Sequence, residues 1–328
     1  MATAKDVAER AGTSTAVVSY VFNDGPRSVS PTTRERVLLA ASELNYHPNA
    51  AARALTMGRS DSFGLIVPSI QNPFFGELSH AVEMAAKQAG HLLLIADSAM
   101  DPAQEKQQID AFIGRRVDGI ILISCARDQD LSLVISNGIP VVALHPILNG
   151  VDVQTVHMDY LSAARDLTLH LLTVHKVKSI LMVTAKFVEG GAKDHRQGVK
   201  AAIKSEGKKV ELLEIQSEVS RGDASSEVLT FLKQNKIPDA IYCSTDEQAY
   251  GVLSALHKLG INVPGDVRVV GFDGTLHSKF SIPPLTTVRQ PLEIIAQIAI
   301  QLLSGDESEI IHKNSLKGEL VIRESCGC

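Results

Sequence analysis

The stretch AKDVAERAGTSTAVVSYVFN, residues 4–23, decides how this chain is read. Residues 5–11 put Val7, Ala8 and Ala11 on one helical face, and Gly12 follows where a left-handed C-cap residue belongs. Ser14 is a good N-cap for a second helix over 15–22, with Val17, Val18 and Val21 as its apolar stripe. Outward from there, Asn23-Asp24-Gly25-Pro26 is a loop cluster, and Ser30-Pro31 joins an N-cap to proline at the first helical position. Val37, Leu38, Ala41 and Leu44 then line the buried face of a third helix, which Asn45 can end in the left-handed conformation and Pro48 keeps from continuing. Two short helices joined by a glycine-containing turn and braced by a third spell a helix-turn-helix unit.

Residues 49–55 (NAAARAL) form a very short helical segment that needs a partner to fold, and 56–61 (TMGRSD) is a polar link. From Phe63 the rhythm changes. Apolar strands are expected at 64–67, 92–96, 119–124, 141–144, 180–183, 211–215, 240–243 and 267–272. Amphipathic stretches lie between them at 75–89, 103–115, 160–173, 194–206, 222–234 and 246–259. Near-continuous apolar strands with helical crossovers mean parallel sheets covered on both faces. The extended segment IPPLTTVRQP suits a crossover between lobes, followed by a last helix over 291–304 and a final strand at 319–323. The expected architecture is an N-terminal all-α helix-turn-helix headpiece (1–48), a hinge helix and linker (49–61), and an α/β core of two doubly wound parallel-sheet lobes (62–328).

The 328 residues, 45% hydrophobic and 21% charged, belong to a globular protein. No run of eighteen apolar residues spans a membrane, and MATAKDVAERAG lacks the apolar region of an export signal. Four scattered cysteines fit a reducing compartment, with a cytoplasm as the simplest reading. The net charge is −5. Residues 1–61 hold seven basic and six acidic side chains, a net of +1, a weak electrostatic case for nucleic acid that pattern must strengthen. GxSxG, GxxxxGK[ST], HExxH and GxGxxG do not occur, and the eleven histidines show no metal spacing. No enzyme activity, cofactor or metal is expected. The tail Cys326-Gly327-Cys328 could bind metal or oxidise, but a disordered terminus is the favoured reading.

The headpiece sequence from Ala4 through NYHPNAAARAL resembles the lactose-repressor (LacI/GalR) family of bacterial regulators. LIVPSIQNPFFGELSHAVE, DGIILIS, STDEQAYGVLSAL, VPGDVRVVGFDG and PPLTTVRQP continue the likeness over essentially the whole chain. The resemblance implies a homodimer in the bacterial cytoplasm, on the nucleoid, bound to a near-palindromic double-stranded DNA operator with the second helix in the major groove. It also implies paired hinge helices in the minor groove and a periplasmic-binding-protein-like core that takes a small effector. Thr15, Ala16 and Tyr20 lie opposite the valine stripe, and the family reads bases at these positions. Ser14, Ser19, Asn23, Thr33 and Arg34 are read as phosphate contacts or caps, Ser14 as a cap alone in the alternative. Asn49, Ala52, Arg53 and Leu55 are the expected minor-groove hinge set. Ala51, Ala52 and Ala54 leave room for two hinge helices to meet, and the family wedges a leucine between base pairs at Leu55.

In the core, Asp273 follows a buried strand directly and so stands at a carboxyl end, where ligands of such lobes bind. The family places a ligand-binding carboxylate there, and a turn role is the alternative. Thr245 is a further cleft candidate, with Asp246 as the cap of the next helix. Phe74 and Phe75 begin a helix at the rim, with core packing expected to claim one, Phe75. His145 occupies a position where the family often has a carboxylate. His195 stands where the family often has arginine, with Arg196 one place later, about 100° round a helix, so which of the two reaches a ligand stays open. Gly274 replaces a common second aspartate. The expected effector is a carbohydrate, a neutral sugar. A nucleobase, a phosphosugar, a protein partner or a vestigial cleft are the alternatives.

Overall fold

The Thr3 hydroxyl accepts from the Asp6 amide at 3.3 Å, and the Asp6 carboxylate accepts from the Thr3 amide at 2.7 Å. This reciprocal capping box starts helix α1 (Ala4–Ala11), and Gly12, at φ 61°, ends it. Ser14 Oγ accepts from the Val17 amide at 3.3 Å at the head of α2 (Thr15–Asn23). Ser30 Oγ accepts from the Thr33 amide at 3.3 Å at the head of α3 (Pro31–Glu43), and Asn45 follows with φ 47°. Val7, Ala8 and Ala11, Val18 and Val21, and Val37, Ala40 and Ala41 form one apolar cluster, with Leu44 and Phe22 against it. The third helix differs from expectation at one position. Ala40 takes the place of Leu38, which is 45% exposed, because 37, 40, 41 and 44 share a stripe that position 38 leaves.

The computed structural model describes residues 2–23, 27–48, 58–125, 130–145, 153–186, 189–207, 209–305 and 316–328. The chain divides into two units, Met1–Ser60 and Asp61–Cys328. In the second unit, strands β1 (Ser62–Val67), β2 (Leu92–Asp97), β3 (Gly119–Leu122), β4 (Val141–Ala143) and β5 (Gln154–Thr155) pair in parallel in the order β2-β1-β3-β4-β5. This is the order of a doubly wound sheet with its switch point between β1 and β3. Alternation along β1 divides the two layers. Phe63, Leu65 and Val67 face α4 (Pro73–Gln88) and α11 (Leu292–Leu303), while Ile66 faces α5 (Pro102–Arg115) and the short α6 (Ser132–Ser136).

The second lobe repeats the plan. Strands β6 (Ser179–Ala185), β7 (Glu211–Ser217), β8 (Ala240–Cys243) and β9 (Arg268–Val270) run parallel in the order β7-β6-β8-β9. Helices α7 (Tyr160–Thr173) and α8 (Glu189–Glu206) cover one face, and α9 (Arg221–Leu232) and α10 (Asp246–Lys258) the other. The extended segment after residue 280 contains a real strand, β10 (Thr287–Arg289), paired antiparallel with β11 (Glu319–Val321). The chain leaves the first lobe after β5, returns with α11, and crosses again to reach β11. The tail overturns its expected disorder. Residues Glu324–Cys326 form a 3-10 turn in which Ser325 and Cys326 are fully buried. Among the described residues no helix is long and apolar enough to cross a membrane.

Candidate nucleic-acid interface and effector site

With Val18 and Val21 turned inward, α2 presents Thr15, Ala16 and Ser19 as exposed side chains, with Tyr20 half-buried beside them. Ala16 and Tyr20, four residues apart, share a face. Arg34 is exposed on the first turns of α3. Two of the expected phosphate contacts also do local work: Ser14 caps α2, and the Thr33 hydroxyl accepts from Ser30 Oγ at 2.9 Å. Asn23 ends α2, and its side chain lies outside the described residues, as do Asn49, Ala51, Ala52, Arg53, Ala54 and Leu55 of the hinge. The Arg10 Nε donates to Glu43 at 2.7 Å, tying α1 to α3.

In the core, the carboxyl end of β9 delivers Phe272 and Asp273. Asp273 Oδ1 accepts from Gln290 Nε2 at 2.9 Å, and Gln290 Oε1 accepts from the Tyr160 hydroxyl at 3.2 Å. Gly274, at φ 71°, is required here. A Cβ at this position would stand 2.3 Å from Arg289 Cα, so the common second aspartate has no room. Asp246 does not cap α10; Thr245 does, accepting from the Gln248 amide at 3.1 Å. The Asp246 carboxylate is fully buried and accepts from Thr287 Oγ1 at 2.6 Å, the Thr275 amide at 2.8 Å and Thr275 Oγ1 at 3.0 Å.

His195 and Arg196 part company. His195 is buried, with Nδ1 2.6 Å from the Tyr242 hydroxyl and its ring edge-on to Phe272 at 4.4 Å and tilted to Tyr160 at 6.0 Å. Arg196 turns to the sheet edge, where its Nε donates to both Glu214 oxygens at 2.8 and 2.9 Å. From the first lobe, His145 follows β4 with its Nδ1 buried and without a partner among the described residues. The His157 charge acts on it, and the His157 ring stacks on Tyr160 at 6.3 Å. A polar and aromatic path thus runs from His145 through His157 and Tyr160 to Asp273 and His195. Phe74 and Phe75 meet edge to face at 5.2 Å, and both, not one, pack on the first lobe's core.

The charges along this path are set by burial. Desolvation lowers His195 to about 3. It also lowers His145 to about 4, with the His157 charge adding to the effect. Burial, with the Asp246 charge behind it, pushes Asp273 well above the carboxylate range. Asp246 itself is raised to about 6, burial outweighing its three donors. Of the two, Asp273 has fewer hydrogen bonds to hold its charge, so its shift is the larger. At neutral pH both imidazoles are uncharged, and burial disfavours charge on Asp273.

This has a measurable consequence. As pH falls from 6.5 toward 3, the unfolded chain takes up a proton that folded His195 refuses. The core therefore loses about 1.4 kcal/mol per pH unit from this residue across that window. Asp246 works in the opposite direction between about 4 and 6, since its folded form binds the proton first. The contrast between wild type and His195→Gln isolates the histidine. Denaturation midpoints from pH 7 to 4 are expected to fall less steeply in the variant, and equal slopes would remove the buried neutral imidazole.

Beside this path an interlobe groove of about 710 Å³ lies between α4 and the segment after β9, lined by Glu77, His80, Asp273, Leu276, Gln290 and Arg323 among others. Its volume is that of a small-molecule site. Glu77 Oε1 accepts from the Leu276 amide at 2.8 Å across it. Of the seven effector residues expected from sequence, only Asp273 lines this groove. The residues that sequence reasoning missed are Tyr160, His157, Phe272 and Gln290. Gln290 had a signal, a lone amide closing an apolar extended segment. Tyr160 had none, because an aromatic at a helix start reads equally as core.

Residues 60–315 match the family profile described as periplasmic binding proteins and sugar binding domain of LacI family, and residues 3–49 match that of bacterial regulatory proteins, lacI family. The chain is 32% identical over 333 residues to the HTH-type transcriptional repressor PurR of Pasteurella multocida (strain Pm70), covering 99% of this chain and 98% of that protein. In fold it is similar to the lac repressor dimer bound to operator and the anti-inducer ONPF, with a TM-score of 0.84, 24% identity and 99% of both chains covered. It is also similar to the transcriptional regulator CelR in complex with cellobiose, with a TM-score of 0.71, 26% identity, and 99% of this chain and 100% of that chain covered. With the helix-turn-helix unit, the paired parallel-sheet lobes and a relative that aligns along nearly all its length, the chain belongs to the LacI family of bacterial regulatory proteins: it is a DNA-binding transcriptional regulator with an effector-binding core.

Proposed function

We propose that the chain represses transcription as a homodimer on a near-palindromic operator, and that a neutral carbohydrate held between the lobes sets its operator affinity. The observation that carries the effector class is the commitment of Arg196, the cation nearest in sequence, to Glu214. Burial lowers His145 and His195 and pushes Asp273 well above the carboxylate range, so it disfavours charge on all three. A sugar's hydroxyls both donate and accept, which suits a neutral imidazole, the Asp273 carboxyl and the Gln290 amide. A phosphosugar meets acids nearby, Asp159 and Asp194, whose charges reach His157. The CelR structure, which holds cellobiose, supports a carbohydrate by likeness. A nucleobase is the second reading, favoured by the flat rings of Tyr160 and Phe272, 5.9 Å apart. Calorimetry against neutral sugars, phosphosugars and nucleobases decides between them. Tighter binding of a phosphorylated sugar than of its parent would overturn the neutral site, and no binding at all would leave a vestigial cleft or a protein signal.

On DNA, Thr15, Ala16 and Tyr20 are assigned to base edges, the Ala16 and Thr15 methyls suiting thymine methyl groups. Ser14, Ser19, Asn23, Thr33 and Arg34 are assigned to phosphates, which fix register without reading sequence. Asn49, Ala52, Arg53 and Leu55 are assigned to the minor groove. A hinge of about seven residues has a folding free energy near zero, so a ligand that alters the spacing of two first lobes biases it by about 1–3 kcal/mol. The large apolar side chains Leu276, Phe280 and Ile282, the last 93% exposed, support a covered face in a dimer. Leu55→Ala is expected to weaken operator binding at least tenfold and reduce the DNA bend, with effector affinity unchanged. A permutation assay reads the bend, and an unaltered angle counts against the wedge. Selection of bound DNA from a random pool should return near-palindromes with a flexible pyrimidine–purine step at the centre.

A further inference from the structure

Away from the effector path, four side chains converge on one point of the second lobe. His170 comes from the last turn of α7 and His175 from just beyond it. Cys326 closes the buried 3-10 turn, and Cys328 is the last residue of the sequence. The two imidazole Nε2 atoms are 3.3 Å apart. Cys326 Sγ is 3.5 Å from His170 Nε2, and Cys328 Sγ is 3.6 Å from His170 Nε2 and 3.4 Å from His175 Nε2. All four ligand atoms lie within 4.8 Å of one another. We propose that these four side chains bind one Zn²⁺ in a tetrahedral two-histidine, two-cysteine site that anchors the C-terminal tail to α7.

The distances carry the argument. A tetrahedral zinc with bonds of about 2.0–2.1 Å to nitrogen and about 2.3 Å to sulfur spaces its N···N pair at about 3.3 Å and its N···S pairs at about 3.6 Å. The four spacings given above match edges of that polyhedron, and the remaining two lie within 4.8 Å. A hydrogen-bonded cluster explains them less well. Two imidazole nitrogens facing each other share at most one proton between them, and thiols are weak donors and weak acceptors. The donor set selects the metal: two thiolates with two imidazoles suit zinc, whereas calcium and magnesium require oxygen.

The backbone is arranged for the same end. Gly327 sits at φ 95°, and a Cβ there would lie 3.7 Å from both His175 Cε1 and Arg268 Nε. That left-handed residue reverses the chain between the cysteines, so that both sulfurs reach the cluster. The turn before it is held independently, by Ser325 Oγ donating to the Val269 carbonyl at 2.6 Å and accepting from the Thr286 amide at 2.8 Å. On binding, both thiols release their protons to solvent, and the resulting site of two thiolates, two neutral imidazoles and one divalent cation carries no net charge. The role is structural. All four positions are filled by the protein, leaving none open for substrate or water.

The test uses the full-length chain, reduced, stripped with a chelator and then titrated with Co²⁺ or Zn²⁺ alone. One metal per chain is expected, with visible bands of tetrahedral Co²⁺ and a near-ultraviolet thiolate-to-cobalt band, all displaced by Zn²⁺. Cys326→Ser/Cys328→Ser is expected to lose the charge-transfer band entirely, His175→Asn to lower zinc affinity at least tenfold, and Cys125→Ser to behave as wild type. Zinc is expected to slow digestion of the tail by carboxypeptidase in wild type only. The wild-type titration needs no variant to fold. No stoichiometric uptake, no thiolate-to-cobalt band, or a band that survives in the double variant overturns the site. A Cys326–Cys328 disulfide that re-forms in preference to metal uptake does the same.

Discussion

Operator binding is expected to be lost in Val18→Asp, by at least about a hundredfold, while the core keeps its melting temperature and its effector affinity. Val18 is 1% exposed at the centre of the three-helix cluster, against Val7, Ala11, Val37 and Ala41. A carboxylate there has no donor within the cluster, and an unpaired buried charge costs about 3–5 kcal/mol. A headpiece of this size commands about that much stability in total. The mutation therefore unfolds the unit rather than deforming it. Tenfold in affinity corresponds to about 1.4 kcal/mol, so the cost maps onto at least two decades. Fluorescence anisotropy with a selected operator measures the loss, and calorimetric scans separate the core transition. Operator affinity within a few-fold of wild type would mean that α2 is not held by this cluster.

Gly274→Ala is expected to destabilise the core and to weaken binding at the proposed effector site. The added Cβ would stand 2.3 Å from Arg289 Cα and 2.9 Å from its amide nitrogen, and the residue's φ of 71° is strained for any side chain. Backbone cannot swing away as a side-chain tip can, so β9 and β10 must separate where Asp273 and Arg289 bridge. The Asp273–Gln290 hydrogen bond sits on that junction. A cost of about 2–4 kcal/mol follows from clash and conformation together, with effector affinity falling at least tenfold. Gly114→Ala is the counterpart. That glycine lies inside α5 at an ordinary helical φ, and a Cβ added there would meet nothing within 4 Å among the described residues, so alanine stabilises by about 0.5–1 kcal/mol. Thermal melts of both variants test the pair, and similar shifts in the two would refute the backbone argument.

What is legible in the sequence and what is not divides by the range of the interaction. The Val18 and Val21 face of α2 (Val17, expected with them, lies outside the cluster), the Ser30-Pro31 start of α3 and the apolar runs of β1, β3, β6 and β8 are readable, because each is a pattern within one turn or one strand. The choice of Ala40 over Leu38 follows the same stripe, since 40 lies on the face of 37, 41 and 44 and 38 leaves it, but the larger apolar side chain at 38 masks it. Strand β10 reads as linker because its partner β11 lies thirty residues on. Between His195 and Arg196 the sequence does not choose; Glu214 does, by drawing the guanidinium to the sheet edge. The tail reads as disordered for the same reason: Ser325 and Cys326 are buried by β9 and α7, segments distant in sequence.

Periodicity, capping residues and turn chemistry act over a few positions, so the order of helices and strands and the kinship of this chain were determined by its sequence alone. Which side chains share a burial site, which of them lose their charge there, and how His170, His175, Cys326 and Cys328 come within bonding distance were decided only in three dimensions. Desolvation and coordination depend on neighbours that the chain brings together from more than a hundred residues away.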